Sequence, residues 1–217
     1  MKPKYLAKLF VLVLTCALTL GATGRSSERE RMGIFISNFT ETGMYVFDIT
    51  DGLVRNASQK DMGDLCPDDL IRFGIAHNII NNPKTTIKKC PRKSCPHGSS
   101  IISGASVSAS IRKYFDLDIR NRTLTDGNEP GAYYDGTDYH FDVMAWRGEL
   151  EQSATNYAEA QHIIRRKGLV KVEGELYDYN NKANRLGRFI ASAKPHEWQG
   201  KDTWAVISLS VEWYDEE

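Results

Sequence analysis

Asp138, His140 and Asp142 fall at i, i+2 and i+4 of one β-rich run, Thr137 to Ala145. Side chains alternate across a strand, so all three share one face. A carboxylate beside an imidazole fixes its tautomer and raises its basicity, which both general-base chemistry and metal ligation require. The set spans roughly 13 Å along a strand, so adjacent pairs can converge on one ion or substrate while all three cannot. The competing reading is a solvated sheet face. His77 is a further candidate, although it lies on the apolar stripe of a helical segment, where a core histidine with a hydrogen-bond partner is the ordinary occupant.

The cysteines form the second constellation. Cys90 and Cys95 bracket Pro91-Arg92-Lys93-Ser94, and Pro96 follows, which reads as a loop. A disulfide closing this loop is the leading expectation, with a bond from Cys66 to one of the pair next. Cys90, Cys95 and His97, with Cys66 as a fourth donor, would be a zinc set. The spacing C-x4-C-x-H departs from the short C-x2-C knuckle, and oxidation competes for the thiols. On these grounds the residues point to no metal and no cofactor. Cys66 stands beside a helix start, where the dipole would stabilise a thiolate; the plainer reading is a buried, inert thiol.

Other chemistry is not signalled. The chain holds no G-x-S-x-G elbow, no H-E-x-x-H, no P-loop, no G-x-G-x-x-G and no EF-hand loop. Tyr133, Tyr134, Tyr139, Trp204 and Trp213 could line a concave sheet. Trp146 and Trp198 fall outside the best alternation and are expected as an exposed pair that binds a peptide, a glycan or an envelope protein. Lys and Arg together number 28, as do Asp and Glu, and this balance disfavours a nucleic-acid partner.

The first 24 residues read as a signal peptide rather than part of the fold. Lys2, Lys4 and Lys8 precede the apolar run Leu9 to Leu20, and Ala22-Thr23-Gly24 supplies small residues at the cleavage point. The run is too short for a membrane span. Lipidation at Cys16 is a minority alternative, because Thr15 departs from the usual small residue and Ala17-Leu18-Thr19-Leu20 stays apolar. Without its three leader lysines the mature chain is net −3. The expectation is an exported protein, periplasmic or extracellular, with no transmembrane segment in its mature chain.

These residues need elements to position them. Residues 25–31 read as a flexible lead-in, Met32 to Phe39 as a strand, Gly43 to Ile49 as a second short strand and 50–63 as a loop. Pro67, Asp68 and Asp69 start a helix that Asn81-Asn82-Pro83 ends. Residues 83–102 read as a basic loop. Ser103 or Ser106 caps a second helix with Val107, Ile111, Tyr114 and Phe115 on one face. After a loop over 127–131, Asp135-Gly136 marks a hairpin between Tyr133-Tyr134 and Thr137 to Ala145. Residues 154–166, 169–179, 186–193 and 203–213 follow as strands. The fold expected is α+β, one domain over 32–217. Two helices precede and pack on a curved antiparallel sheet of four to six strands, of cystatin or NTF2-like type.

Phe73-Gly74-Ile75-Ala76-His77-Asn78, Ile111-Arg112-Lys113-Tyr114-Phe115 and Tyr134 to Phe141 together resemble small exported bacterial proteins of uncharacterised function, over roughly residues 32–213. The resemblance implies export, often with a lipid anchor, and carries over no catalytic residue. The function expected is a non-catalytic binding or accessory module of the cell envelope or extracellular space. The alternative is a hydrolase or metal-dependent enzyme using His140 with Asp138 or Asp142.

Overall fold

The structure, a computed structural model, describes residues 26–49, 65–124, 131–153 and 155–214. The signal peptide expected over 1–24 with Cys16, the loop expected over 50–63, and 127–130 lie outside the described residues. The chain is α+β with two antiparallel sheets, rather than the single sheet expected.

The first element corrects the sequence reading. Met32 to Phe39 is not a strand but part of helix α1, Glu28–Thr40. Residues expected as a flexible lead-in supply its start: Glu30 N–H donates to Ser27 Oγ at 3.1 Å, and Glu28 and Glu30 face the positive end of the dipole. Met32, Phe35, Ile36 and Phe39 recur at helical spacing and are all buried. Burial of nearly the whole helix circumference makes the apolar run continuous, and such a run looks like a buried strand.

Helix α2, Pro67–Asn81, is present as read, and a single turn, α3 (Pro83–Thr86), follows it. Helix α4 covers Gly104–Phe115, with Ser103 Oγ accepting from Ser106 N–H at 3.1 Å. Helix α5, Val143–Ser153, replaces the last residues of the strand expected to reach Ala145. Asp142 Oδ1 caps it by accepting from Met144 N–H at 2.9 Å.

The larger sheet has the order β1 (Val46–Asp48), β9 (Lys201–Trp213), β8 (Arg185–Trp198), β7 (Leu169–Asp178), β6 (Asn156–Arg166). The smaller has the order β2 (Lys88–Lys89), β3 (Ser100–Ser103), β5 (Asp138–Phe141), β4 (Tyr133–Tyr134). Strand β2, and β3 apart from its last residue Ser103, lie inside the segment 83–102 expected as a basic loop. Alternation made β7 to β9 readable, since one face of each is core and the other wet.

Helices and large sheet meet around Phe39, which is fully buried. Its ring lies 5.3 Å from Phe35 and from Phe73, 5.4 Å from Phe115 and 5.9 Å from Phe47, edge-to-face or tilted for most of these pairs. Beside this cluster runs a buried polar chain that joins three helices. His77 Nδ1 and Ser110 Oγ are 3.2 Å apart, and His77 Nε2 and Tyr114 OH 3.1 Å. Tyr114 OH donates to Asn38 Oδ1 at 3.1 Å, and Asn78 Nδ2 donates to Ser110 Oγ at 2.9 Å. His77 is therefore a satisfied core residue.

Burial, with the Lys113 charge adding to it, lowers the His77 pKa to about 4. The unfolded chain restores the ordinary value near 6.5, so between these values the unfolded state binds more protons. Stability is full above pH 6.5 and falls through the window to pH 4, by about 3 kcal/mol. Urea melts of wild type and His77→Gln over pH 7 to 4 check this: the variant loses this part of the acid limb.

Candidate metal centre

The register of the small sheet builds the site. Ile101 and Tyr133 flank His140 on the two neighbouring strands, and Lys88 pairs with Ile101 one strand further out. The chain leaves β2 at Cys90 and returns through Ser99, where Cys90 N–H donates to Ser99 O at 2.8 Å. The intervening loop folds back over β5. Gly98 makes that crossing possible: its φ is +123°, and a Cβ there would lie 2.1 Å from the Phe141 carbonyl carbon. Only glycine fits both conditions.

The result gathers Cys90, Cys95 and His140. Their donor atoms all lie within 4.8 Å of one another. Cys90 Sγ and Cys95 Sγ each stand 3.5 Å from His140 Nδ1. Cys90 and His140 are buried, and Cys95 is half-buried. The three cysteines among the described residues, Cys66, Cys90 and Cys95, are free thiols, so the expected Cys90–Cys95 disulfide is not formed in this structure. The reason is geometric: both sulfurs turn toward one ring nitrogen.

His140 Nε2 lies 2.8 Å from Asp135 Oδ2. A carboxylate only accepts, so a proton sits on Nε2, and Nδ1 is the ring atom that faces the sulfurs. Asp135 is itself fixed by the hairpin turn, where Gly136 adopts φ +102°. Its Oδ1 accepts from Thr137 N–H at 3.0 Å and Asp138 N–H at 2.9 Å. The Asp138 N–H, then His140, then the Thr137 N–H hold the carboxyl far below the usual carboxylate range. Arg92 Nη2 approaches its Oδ2 at 3.5 Å.

The Cys95 thiol is also pushed down. The His97 backbone N–H donates to it first, with Cys90 and His140 adding to the effect against partial desolvation. Cys66 differs: burial raises its thiol, which removes the dipole-stabilised thiolate considered from its position beside α2. It caps that helix, with its N–H donating to Asp69 Oδ2 at 2.8 Å.

Several expectations change here. The carboxylate on His140 is Asp135, not Asp138 or Asp142. Asp138 contributes its backbone N–H, and the side chain of Asp142 caps α5. His97, the histidine of the zinc set that the sequence disfavours, stacks on Tyr133 at 4.0 Å and 15°. Trp146, expected at the surface, is 3% exposed and packs edge-on to Phe141, because 143–153 is a helix laid against the core. Trp198 is half-buried at the end of β8, so the two do not form an exposed binding pair. The cue that could have found Asp135 was present, since an Asp-Gly turn brings its first residue back beside the second strand.

Comparisons with family models, curated proteins and solved structures give no match, so the site rests on its own chemistry. Zinc bonds thiolate at about 2.3 Å and imidazole at about 2.0–2.1 Å, which places their tetrahedral edge near 3.5 Å. Both sulfur–nitrogen distances have that length. One ring nitrogen cannot serve two sulfurs equally well, whereas one ion serves all three groups. The carboxylate on the far ring nitrogen is the usual outer partner of a metal-ligating histidine. Among the described residues the three groups thus fit zinc or another thiolate-preferring ion.

Two outcomes follow from this geometry. Gly98→Ala destabilises the fold by about 2 kcal/mol or more, read from urea melts, because backbone strain and a backbone clash coincide. In the metal-free protein, native iodoacetamide labelling followed by peptide mass mapping finds Cys95 modified roughly tenfold or more faster than Cys66, in line with exposure and thiolate fraction.

Proposed function

We propose that this protein is an exported metal-binding module whose ion, zinc by donor chemistry, is held by Cys90, Cys95 and His140. The observation that carries the reading is the pair of equal 3.5 Å approaches of two sulfurs to one imidazole nitrogen, with Asp135 on the other nitrogen. Export is supported by the leader pattern Lys2 to Gly24. Among the described residues no helix is long and apolar enough to cross a membrane.

A metal and a Cys90–Cys95 disulfide exclude each other. Two buried or half-buried sulfurs around a buried imidazole favour the metal, since the disulfide would leave Nδ1 without a strong partner. A second reading draws on the Cys95–His140–Asp135 series, which has the order nucleophile, base, orienting carboxylate. Cys90 weighs against it by competing for the same nitrogen.

Purified full-length protein, kept reduced, is expected to carry or take up one zinc per chain by native mass spectrometry. Cys90→Ser, Cys95→Ser and His140→Ala each lower affinity by roughly a hundredfold or more, and Asp135→Asn by about 10–100-fold. Zinc raises the melting temperature of wild type, because the ion binds the folded state. Protein that takes up no metal while all three thiols are free, or that holds a native Cys90–Cys95 disulfide, sinks the reading. Rapid single-site alkylation of a metal-free, folded protein with accompanying hydrolytic activity would instead support the nucleophile.

A further inference from the structure

Three protein donors leave a tetrahedral ion one position that the described residues do not fill. Asp135 cannot reach it, because it bonds the opposite nitrogen of the His140 ring. The His97 ring is held flat against Tyr133. Its backbone N–H already serves Cys95. Cys90 and His140 are buried and Cys95 is half-buried, so solution reaches the site chiefly from the side of Cys95.

On that side lies a cleft of about 560 Å³ over the 89–99 loop, and both donor cysteines line it. Its charged lining residues are Lys89, Arg92 and Lys93, all exposed, with no acidic residue among them. Two thiolates cancel the charge of a divalent ion, so the ion alone offers an anion little net attraction. The attraction must come from the cleft, where cations within several ångströms of the entry raise the local anion concentration.

We propose that the metal takes its fourth ligand from solution, and that this ligand is a small anion with one donor atom, admitted through the Lys89–Lys93 cleft. This rests on the metal reading above. An exchangeable fourth position is the arrangement of reactive rather than purely structural zinc sites, where three protein ligands leave room for water or substrate.

Cobalt makes the position visible. The full-length chain loaded with Co²⁺ reports its thiolates as a charge-transfer band and its fourth ligand through the d–d bands. Titration with azide is expected to shift the d–d bands saturably while the charge-transfer band persists. Lys89→Gln/Lys93→Gln weakens azide roughly fivefold at low salt, and that difference shrinks as salt rises. His97→Ala leaves the azide response in place. Unmoved d–d bands overturn the proposal. An azide shift seen only in His97→Ala also overturns it, since His97 would then be the fourth donor. Equal azide affinity in the double lysine variant removes the cleft from it. A missing charge-transfer band on adding Co²⁺ is a separate result, the failure of the metal reading itself.

Discussion

Strand β5 is buried across three consecutive residues, Tyr139, His140 and Phe141, so both of its faces are dry. This places a polar imidazole where water cannot satisfy it, and an unpaired polar group in such a setting costs on the order of 1–3 kcal/mol. Each ring nitrogen must find a partner within the protein. Nε2 finds the Asp135 carboxylate and Nδ1 the two sulfurs. The turn before β5 and the loop crossing its end are organised around that requirement. Tyr139 meets the same demand beside it, its hydroxyl accepting from Arg122 N–H and donating to Asn121 Oδ1.

The two halves of the fold solve burial differently. In the helical layer, His77, Ser110, Tyr114 and Asn38 satisfy one another, so the network is closed and serves packing. In the small sheet, the His140 chain ends at thiols, which are weak hydrogen-bond partners and strong metal ligands. The first arrangement is complete without a ligand. The second leaves donor capacity aimed at one point. Two buried histidines in one chain thus differ in what their second partners can do.

Much of the fold was legible because one face of an element met water. The alternation of Val170, Val172 and Leu176, or of Ala205, Leu209 and Val211, marks strands in β7 and β9 that each keep one wetter face. Helix α4 carries its apolar residues on one side and was readable for the same reason. Helix α1 has almost no wet face over Met32–Thr40, so period gave way to composition, and β-favouring Ile and Phe suggested a strand. The site failed differently. Its residue types are legible in the sequence, but nearness along the chain points to the wrong partners. His97 stood next to Cys95, and Asp138 and Asp142 stood on the strand of His140. The actual partners come from a turn, for which the Asp-Gly pair is a local cue, and from a loop that crosses β5, whose approach is not encoded in spacing.

The three donors sit on three separately restrained pieces of backbone. Cys90 follows β2, Cys95 belongs to the loop that Gly98 presses against the end of β5, and His140 is mid-strand. An ion shared among them ties the β2–β3 hairpin to β5, across a sheet whose strands are only two to four residues long. A Cys90–Cys95 disulfide would close only a short loop, whose entropy is already small, and would add no tie to β5. Sheets this small are marginal by themselves and need packing or a cross-link. Binding energy at this site is therefore also folding energy for the small sheet. With an ion bound as proposed, order in the cysteine loop would be coupled to the ion that the loop helps to hold.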